Sequence, residues 1–176
     1  MSETGAEERE LFNNPFYMRA WERVVGKDRF TFVETGPAVS VIPIRRRPDG
    51  QVELILLREE RAETEQALIK APGGYLRGRQ INQAANEILT KETGLSCDRY
   101  IEFIREMAGF TTVKLPIATW LALTSFASPK IEPGCMVITL DNAVELVLKN
   151  RIQCQATCDA LMRLWILEKS GELFVI

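Results

Sequence analysis

The stretch from Gly73 to Leu95, GGYLRGRQINQAANEILTKETGL, constrains the fold more than any other part of the chain. Just before it, residues 67–70 form a short strand-like run, which Ala71-Pro72-Gly73-Gly74 breaks. Residues 82–93 then read as one helix, with Asn82 able to cap its start and Gly94 able to take the left-handed position past its end. A glycine step leading into a single capped helix has to pack on neighbouring strands, so the flanks decide the architecture.

Those flanks are strand-rich. Residues 29–34, RFTFVE, alternate and read as a strand. Residues 38–45, AVSVIPIR, are apolar and β-branched, as in a strand buried on both faces. Pro48-Asp49-Gly50 is a turn, and residues 52–58 return as the second arm of a hairpin. The charged run 58–66 reads as a loop or sheet edge. Beyond the helix, residues 100–107, 113–124 and 136–140 read as strands, and 125–134 as a Pro-containing loop. Asp141 caps a helix running to 149, residues 154–167 form another with apolar side chains at 160, 161, 164 and 165, and 173–176 suit a last strand. Residues 1–10 read as a disordered tail, and 15–24 as a short helix or entering strand docked by its aromatics. The division is therefore a tail and docking segment over 1–28 and one α/β (α+β) domain over 29–176, a mixed sheet between helices.

Composition excludes several classes of function. The formal net charge of −2 gives no overall signature of a nucleic-acid binder. No apolar run approaches the roughly 18 residues needed to span a bilayer. The start MSETGAEERE is acidic and polar, unlike a secretory signal, so the expected compartment is the cytoplasm. Cys97, Cys135, Cys154 and Cys158 then read as idle thiols rather than a disulfide framework. The chain has no histidine, so Ser-His and Cys-His nucleophiles are excluded and acid–base work falls to Glu, Asp, Lys, Tyr or water. Trp21, Trp120 and Trp165 are read as core or interface rather than base-stacking platforms.

The 73–95 stretch resembles the Nudix box, G-x5-E-x7-R-E-U-x-E-E-x-G-U with U aliphatic, over its full length. Gly73, Leu89, Glu92, Gly94 and Leu95 match. Upstream, LLREERAETEQALIKAPGG is similar to the segment of ADP-ribose pyrophosphatases with a doubled arginine and a Glu-Leu-Pro; Arg58 and Arg61 fall on the arginines. Downstream, ITLDNAVELVLKNRIQCQATCDALMRLW is similar to the closing segment of that family. The resemblance covers about residues 29–168 and implies a Nudix α/β/α fold. It also implies a nucleoside-diphosphate ligand, Mg2+ as cofactor, and a homodimer exchanging N-terminal strands, here 29–45.

The departures are concentrated where the family holds metal. Three box glutamates at i, i+3 and i+4 would share one helix face and converge on cations. Here those positions are Ile88, Lys91 and Glu92, so Glu92 alone remains as a metal and catalytic candidate. The earlier box glutamate falls on Arg79, the family arginine on Glu87, and the glutamate before the proline on Lys70. Glu87 and Lys91 are spaced to pair along the helix. Two interpretations stand side by side: Lys70, Arg79 and Lys91, with Arg77 as a weaker candidate, hold a diphosphate where cations did, helped by the Gly73-Gly74 backbone; or they are solvated charges on a decayed box. Arg58 and Arg61 either contact the nucleotide or pair with Glu59, Glu60 or Glu63. Glu132, in the late loop, is a candidate base or a plain loop charge. Ala108-Gly109-Phe110 stands where ADP-ribose-specific members carry a Pro-Gly-Phe-like step, so ADP-ribose specificity does not carry over. The leading expectation is a binding module with weak or no Mg-dependent hydrolysis. The alternatives are an active pyrophosphatase using Glu92 with Glu132, and Glu87 as a further candidate, and a structural or regulatory protein with a vestigial pocket.

Overall fold

The apolar run at the start of the central sheet is buried on both faces because two different helix layers cover it. In the computed structural model, which describes residues 7–14, 17–60, 67–97, 99–108, 113–124 and 132–173, this run is strand β4, Ala38–Arg46. Val39 and Val41 face a cluster with Ala84, Ala85, Ile88 and Leu89 of helix α1, Ile81–Thr93. Ile42 and Ile44 face the opposite cluster, with Ala143 and Val144 of α2, Leu140–Leu148, and Ala160, Leu161 and Leu164 of α3, Gln155–Ser170. Burying each of the Val, Leu and Ile side chains contributes about 1.5–3 kcal/mol, so the two clusters set the layering. This is the expected mixed sheet between helices.

The remaining strands are β1 Glu7–Asn14, β2 Met18–Val25, β3 Asp28–Thr35, β5 Val52–Glu59, β6 Leu68–Lys70, β7 Gly73–Tyr75, β8 Arg99–Ala108, β9 Val113–Leu123 and β10 Cys135–Thr139. β4 runs parallel to β9, from Ala38↔Ile117 to Ile44↔Leu123, and antiparallel to β5 and β7. β10 and β6 both pair with β5, and β8 with β9. β1, β2 and β3 form an antiparallel meander that joins β9 through the short parallel pairing Val33↔Val113 and Glu34↔Lys114.

Several local expectations are corrected. Residues 7–10, read as tail, lie in β1; of the two readings of 15–24, helix or entering strand, the strand is found, as β2 from Met18. α1 starts one residue before Asn82, with Gln80 at the cap and no side-chain capping bond. Ile81 packs on the α1-side core, and that contact sets the helix start in place of a polar cap. Asn82 accepts instead from the Gln83 N–H at 2.9 Å. Asp141 does not cap α2; Thr139 does, accepting from the Asn142 N–H at 3.3 Å. Asp141 is drawn to α3, accepting from the Trp165 indole at 2.8 Å and pairing with Lys169 at 3.0 Å. Gly94 ends α1 in the left-handed conformation, φ 73°, as its sequence position predicts. The four cysteines are free thiols. The last-strand residues 174–176 lie outside the described residues. No helix among the described residues is long and apolar enough to cross a membrane.

Candidate functional site

β7 and α1 face one another across the cleft that the box residues line. Positions 88, 91 and 92 share a helix face, and that face meets Gly73, Gly74, Tyr75, Arg77, Arg79 and Glu87 around a cleft of about 250 Å³. The structure thus brings together Gly73, Gly74, Arg79, Lys91 and Glu92. Lys70 and Arg58 do not line this cleft. Arg58 is exposed on β5, its backbone N–H bonded to the Gly134 carbonyl at 2.8 Å. Arg61 and the 109–110 step lie outside the described residues.

Ile88 sits only 8 % exposed, its terminal methyl 3.4 Å from where a Gly74 Cβ would stand. An apolar side chain therefore seals α1 to β7 at the first of the three family carboxylate positions. Glu92 holds the third. It accepts the Gly73 N–H at 3.1 Å. Burial pushes its carboxyl above the ordinary value, opposed by the Gly73 bond and the charges of Lys70 and Lys91, with Glu59 adding to the rise.

The basic replacements have different fates. Arg79 gives its guanidinium to the carbonyls of Leu76 and Tyr75, each at 2.9 Å, and to the Glu87 carboxylate. Glu87 therefore turns to Arg79 rather than to Lys91, because the planar fork of Arg79 reaches it while already fixed by two carbonyls. Arg79 works as a staple between the loop and α1. Lys70 pairs with Glu59 of β5 at 2.7 Å, its side chain only 16 % exposed. Lys91 and Arg77 line the cleft and make no ion pair among the described residues. Arg77 has φ 52° and Gly78 φ 78°, and the Arg79 N–H closes this turn onto the Leu76 carbonyl at 3.0 Å. Two successive positive φ values define a tight mirror-image turn, unfavourable for arginine by about 1–2 kcal/mol. The Arg77 guanidinium lies over the Tyr17 ring at 5.1 Å, and Tyr17 meets Tyr75 edge-on at 5.9 Å.

The glycine pair serves the sheet first. A Cβ on Gly73 would stand 3.0 Å from the Val39 carbonyl oxygen, so the close approach is to β4, and the Gly73 N–H is already committed to Glu92. At the far end of α1, Glu132 donates its backbone N–H to Thr93 at 3.3 Å. Cys135 follows it and donates its thiol to the Glu92 carbonyl at 3.3 Å. Burial first, then the charges of Glu132 and Glu92, push the Cys135 thiol up. Sequence reasoning missed Tyr17, Glu59 and Cys135. Their partners are distant in the chain, and no local pattern marks them.

Magnesium needs several oxygen ligands near octahedral geometry. Of the cleft carboxylates, Glu92 holds Gly73, Glu87 is held by Arg79, and Lys91 adjoins both. No group of three or more metal-ligating acidic, Cys or His side chains stands together among the described residues. This donor set does not fit the ion. Two larger hollows lie elsewhere among the described residues. One of about 490 Å³ lies at the β4–β5 turn and the start of α2, where Arg46–Glu168, Arg47–Asp49 and Lys169–Asp141 pair among themselves. The other, of about 320 Å³, is lined mainly by apolar residues and shares Arg79 with the cleft.

No protein-family model matches the chain, and no curated protein matches it in sequence. The fold is similar to a solved structure described as that of an ADP compounds hydrolase. The similarity has a TM-score of 0.67, 16% identity, and spans 98% of this chain and 98% of that one. At that identity the likeness speaks for the fold alone, a Nudix-like mixed sheet with three helices among the described residues.

Proposed function

We propose that this chain binds a nucleoside-diphosphate compound in the cleft between β7 and α1, with weak or no magnesium-dependent hydrolysis. The observation that carries this is the state of the three box positions: a buried isoleucine, a lysine lining the cleft, and a glutamate engaged with Gly73. Lys91 and Arg77 supply the positive charge that would meet the diphosphate. Lys70 and Arg79 support the walls through Glu59 and Glu87. The neighbouring apolar hollow next to Arg79 offers room for the nucleoside or the group linked to it. The similarity to an ADP compounds hydrolase supports the ligand class.

A second possibility is residual hydrolysis through Glu92 and Glu132, whose backbone N–H bonds the carbonyl of Thr93, the residue after Glu92, at 3.3 Å. A thermal-shift screen separates the two. ADP-ribose, NAD, ADP-glucose and dinucleoside polyphosphates are tested with magnesium and with EDTA. A ligand at about 100 times its dissociation constant adds near 2.7 kcal/mol. A shift in EDTA supports the binding module, a shift only with magnesium supports the hydrolase, and no shift from any compound leaves the pocket vestigial.

A further inference from the structure

The N-terminal meander reaches the rim of the cleft through Tyr17, the residue before β2. The Tyr17 carbonyl accepts the Gly36 N–H at 2.8 Å, and the carbonyl of the next residue, Pro37, accepts the Leu76 N–H at 2.8 Å. Two successive residues of the β3–β4 connection thus pin Tyr17 and the start of the 76–79 turn side by side. The Tyr17 N–H is bonded to the Asn14 carbonyl at 3.1 Å, so its backbone is held from both directions. The turn carries Arg77 toward this ring. Arg77 takes φ 52° and Gly78 φ 78°, a pair of positions that glycine or asparagine fills more easily. An arginine kept in a left-handed position points to a task for its side chain. Its guanidinium lies over the Tyr17 ring, 5.1 Å from the centroid, and that ring meets Tyr75 edge-on at 5.9 Å. Tyr75 and Arg77 line the cleft together with Lys91. A free arginine side chain samples many rotamers, and binding an anion ends that freedom. The ring restricts it beforehand. An exposed cation–π contact is weaker than a charge-assisted bond to a phosphate oxygen, so the ring orients the guanidinium without withholding it.

We propose that Tyr17 is a positioning residue of the cleft: its ring holds the Arg77 guanidinium at the rim, where it meets a phosphate group of the ligand. The N-terminal meander thereby completes a site whose walls are β7 and α1. Tyr17 acts through Arg77 and does not itself touch the ligand. This rests on the proposed function, which places the diphosphate in that cleft.

The test is isothermal titration of inorganic pyrophosphate into the full chain in EDTA. Tyr17→Leu is expected to weaken binding about two- to fivefold, the size of an exposed cation–π contact. Tyr17 is 39 % exposed, so this change leaves no buried cavity. Tyr17→Phe keeps the ring and is expected to rescue the affinity. Arg77→Met is expected to weaken binding about tenfold or more, the size of a lost charge-assisted bond. Adding Tyr17→Leu to Arg77→Met is expected to cost nothing further, because the ring has no guanidinium left to hold. A general disturbance of the cleft by Tyr17→Leu would weaken binding in either background. Arg77→Gly suits the turn and is expected to lose as much affinity as Arg77→Met while melting no lower than wild type, which separates loss of charge from loss of fold. The proposal is overturned if Tyr17→Leu binds as wild type, if Tyr17→Phe binds as poorly as Tyr17→Leu, or if the losses of Tyr17→Leu and Arg77→Met add. Wild-type binding that falls with Lys91→Met but not with Tyr17→Leu overturns this proposal alone. A wild type that takes up no pyrophosphate overturns the proposed function and this proposal with it.

Discussion

Replacing Ile88 with glutamate reinstates the first family carboxylate, and the structure says what that costs. Ile88 is 8 % exposed and seals α1 against Gly74. Losing its apolar burial removes about 2 kcal/mol. The new carboxylate lies beside Glu92, in a seam where its desolvation adds about 1–3 kcal/mol. The sum of about 4 kcal/mol lowers the melting midpoint by roughly 8–16 °C for a chain of this length. Calorimetry or circular dichroism in EDTA measures it, and a urea midpoint that falls with unchanged slope shows that the native fold persists. Ile88→Val serves as the control, with a cost of about 0.5–1.5 kcal/mol. A glutamate variant melting within about 2 °C of wild type, under 1 kcal/mol on the same scale, would refute the claim that packing has replaced ligation at this position.

Three further outcomes follow from the same geometry. Glu92→Gln is expected to raise stability at neutral pH. The folded-state carboxyl sits above the ordinary 4.5, so the folded chain holds the proton more tightly, stability falls as pH rises from 4.5 through the folded value, and the advantage of Gln fades as pH drops back toward 4.5. Gly73→Ala is expected to destabilise by about 1–3 kcal/mol, because its Cβ would stand 3.0 Å from the Val39 carbonyl oxygen, whereas Gly74→Ala meets only the flexible Ile88 tip at 3.4 Å and is expected to melt near wild type. Light scattering is expected to give a dimer rather than a 20.0 kDa monomer, since Leu11, Phe12, Met18, Val25 and Phe30 expose apolar surface on the β1–β3 meander; Phe12→Lys with Phe30→Lys is expected to dissociate it, and a monomeric wild type would remove the strand-exchange expectation.

The framework of the fold is legible in the sequence because its signals are local. The two-faced burial of β4 follows from a run rich in β-branched residues with no charge before Arg45, the end of α1 from Gly94, and the β4–β5 hairpin from Pro48-Asp49-Gly50. α1 and α2 start at Ile81 and Leu140, not at the nearer polar caps Asn82 and Asp141, because both apolar residues enter the core. Ile88, Lys91 and Glu92, at the box spacing on α1, line one cleft. What each basic residue does was not legible. Lys70 and Arg79 pair with Glu59 and Glu87, and only three-dimensional proximity shows that one bridges strands, the other staples a loop, and Arg77 and Lys91 are left facing the cleft.

Under the proposed function, fixed cations rather than magnesium meet the diphosphate. Isothermal titration of ADP into the wild-type protein in EDTA, and again with magnesium, distinguishes the two. The expected result is the same dissociation constant in both buffers, weakened by added salt as charge attraction is screened and weakened further by Lys91→Glu. Binding that appears only with magnesium would contradict it, as would magnesium-dependent turnover of ADP-ribose that Glu92→Gln abolishes.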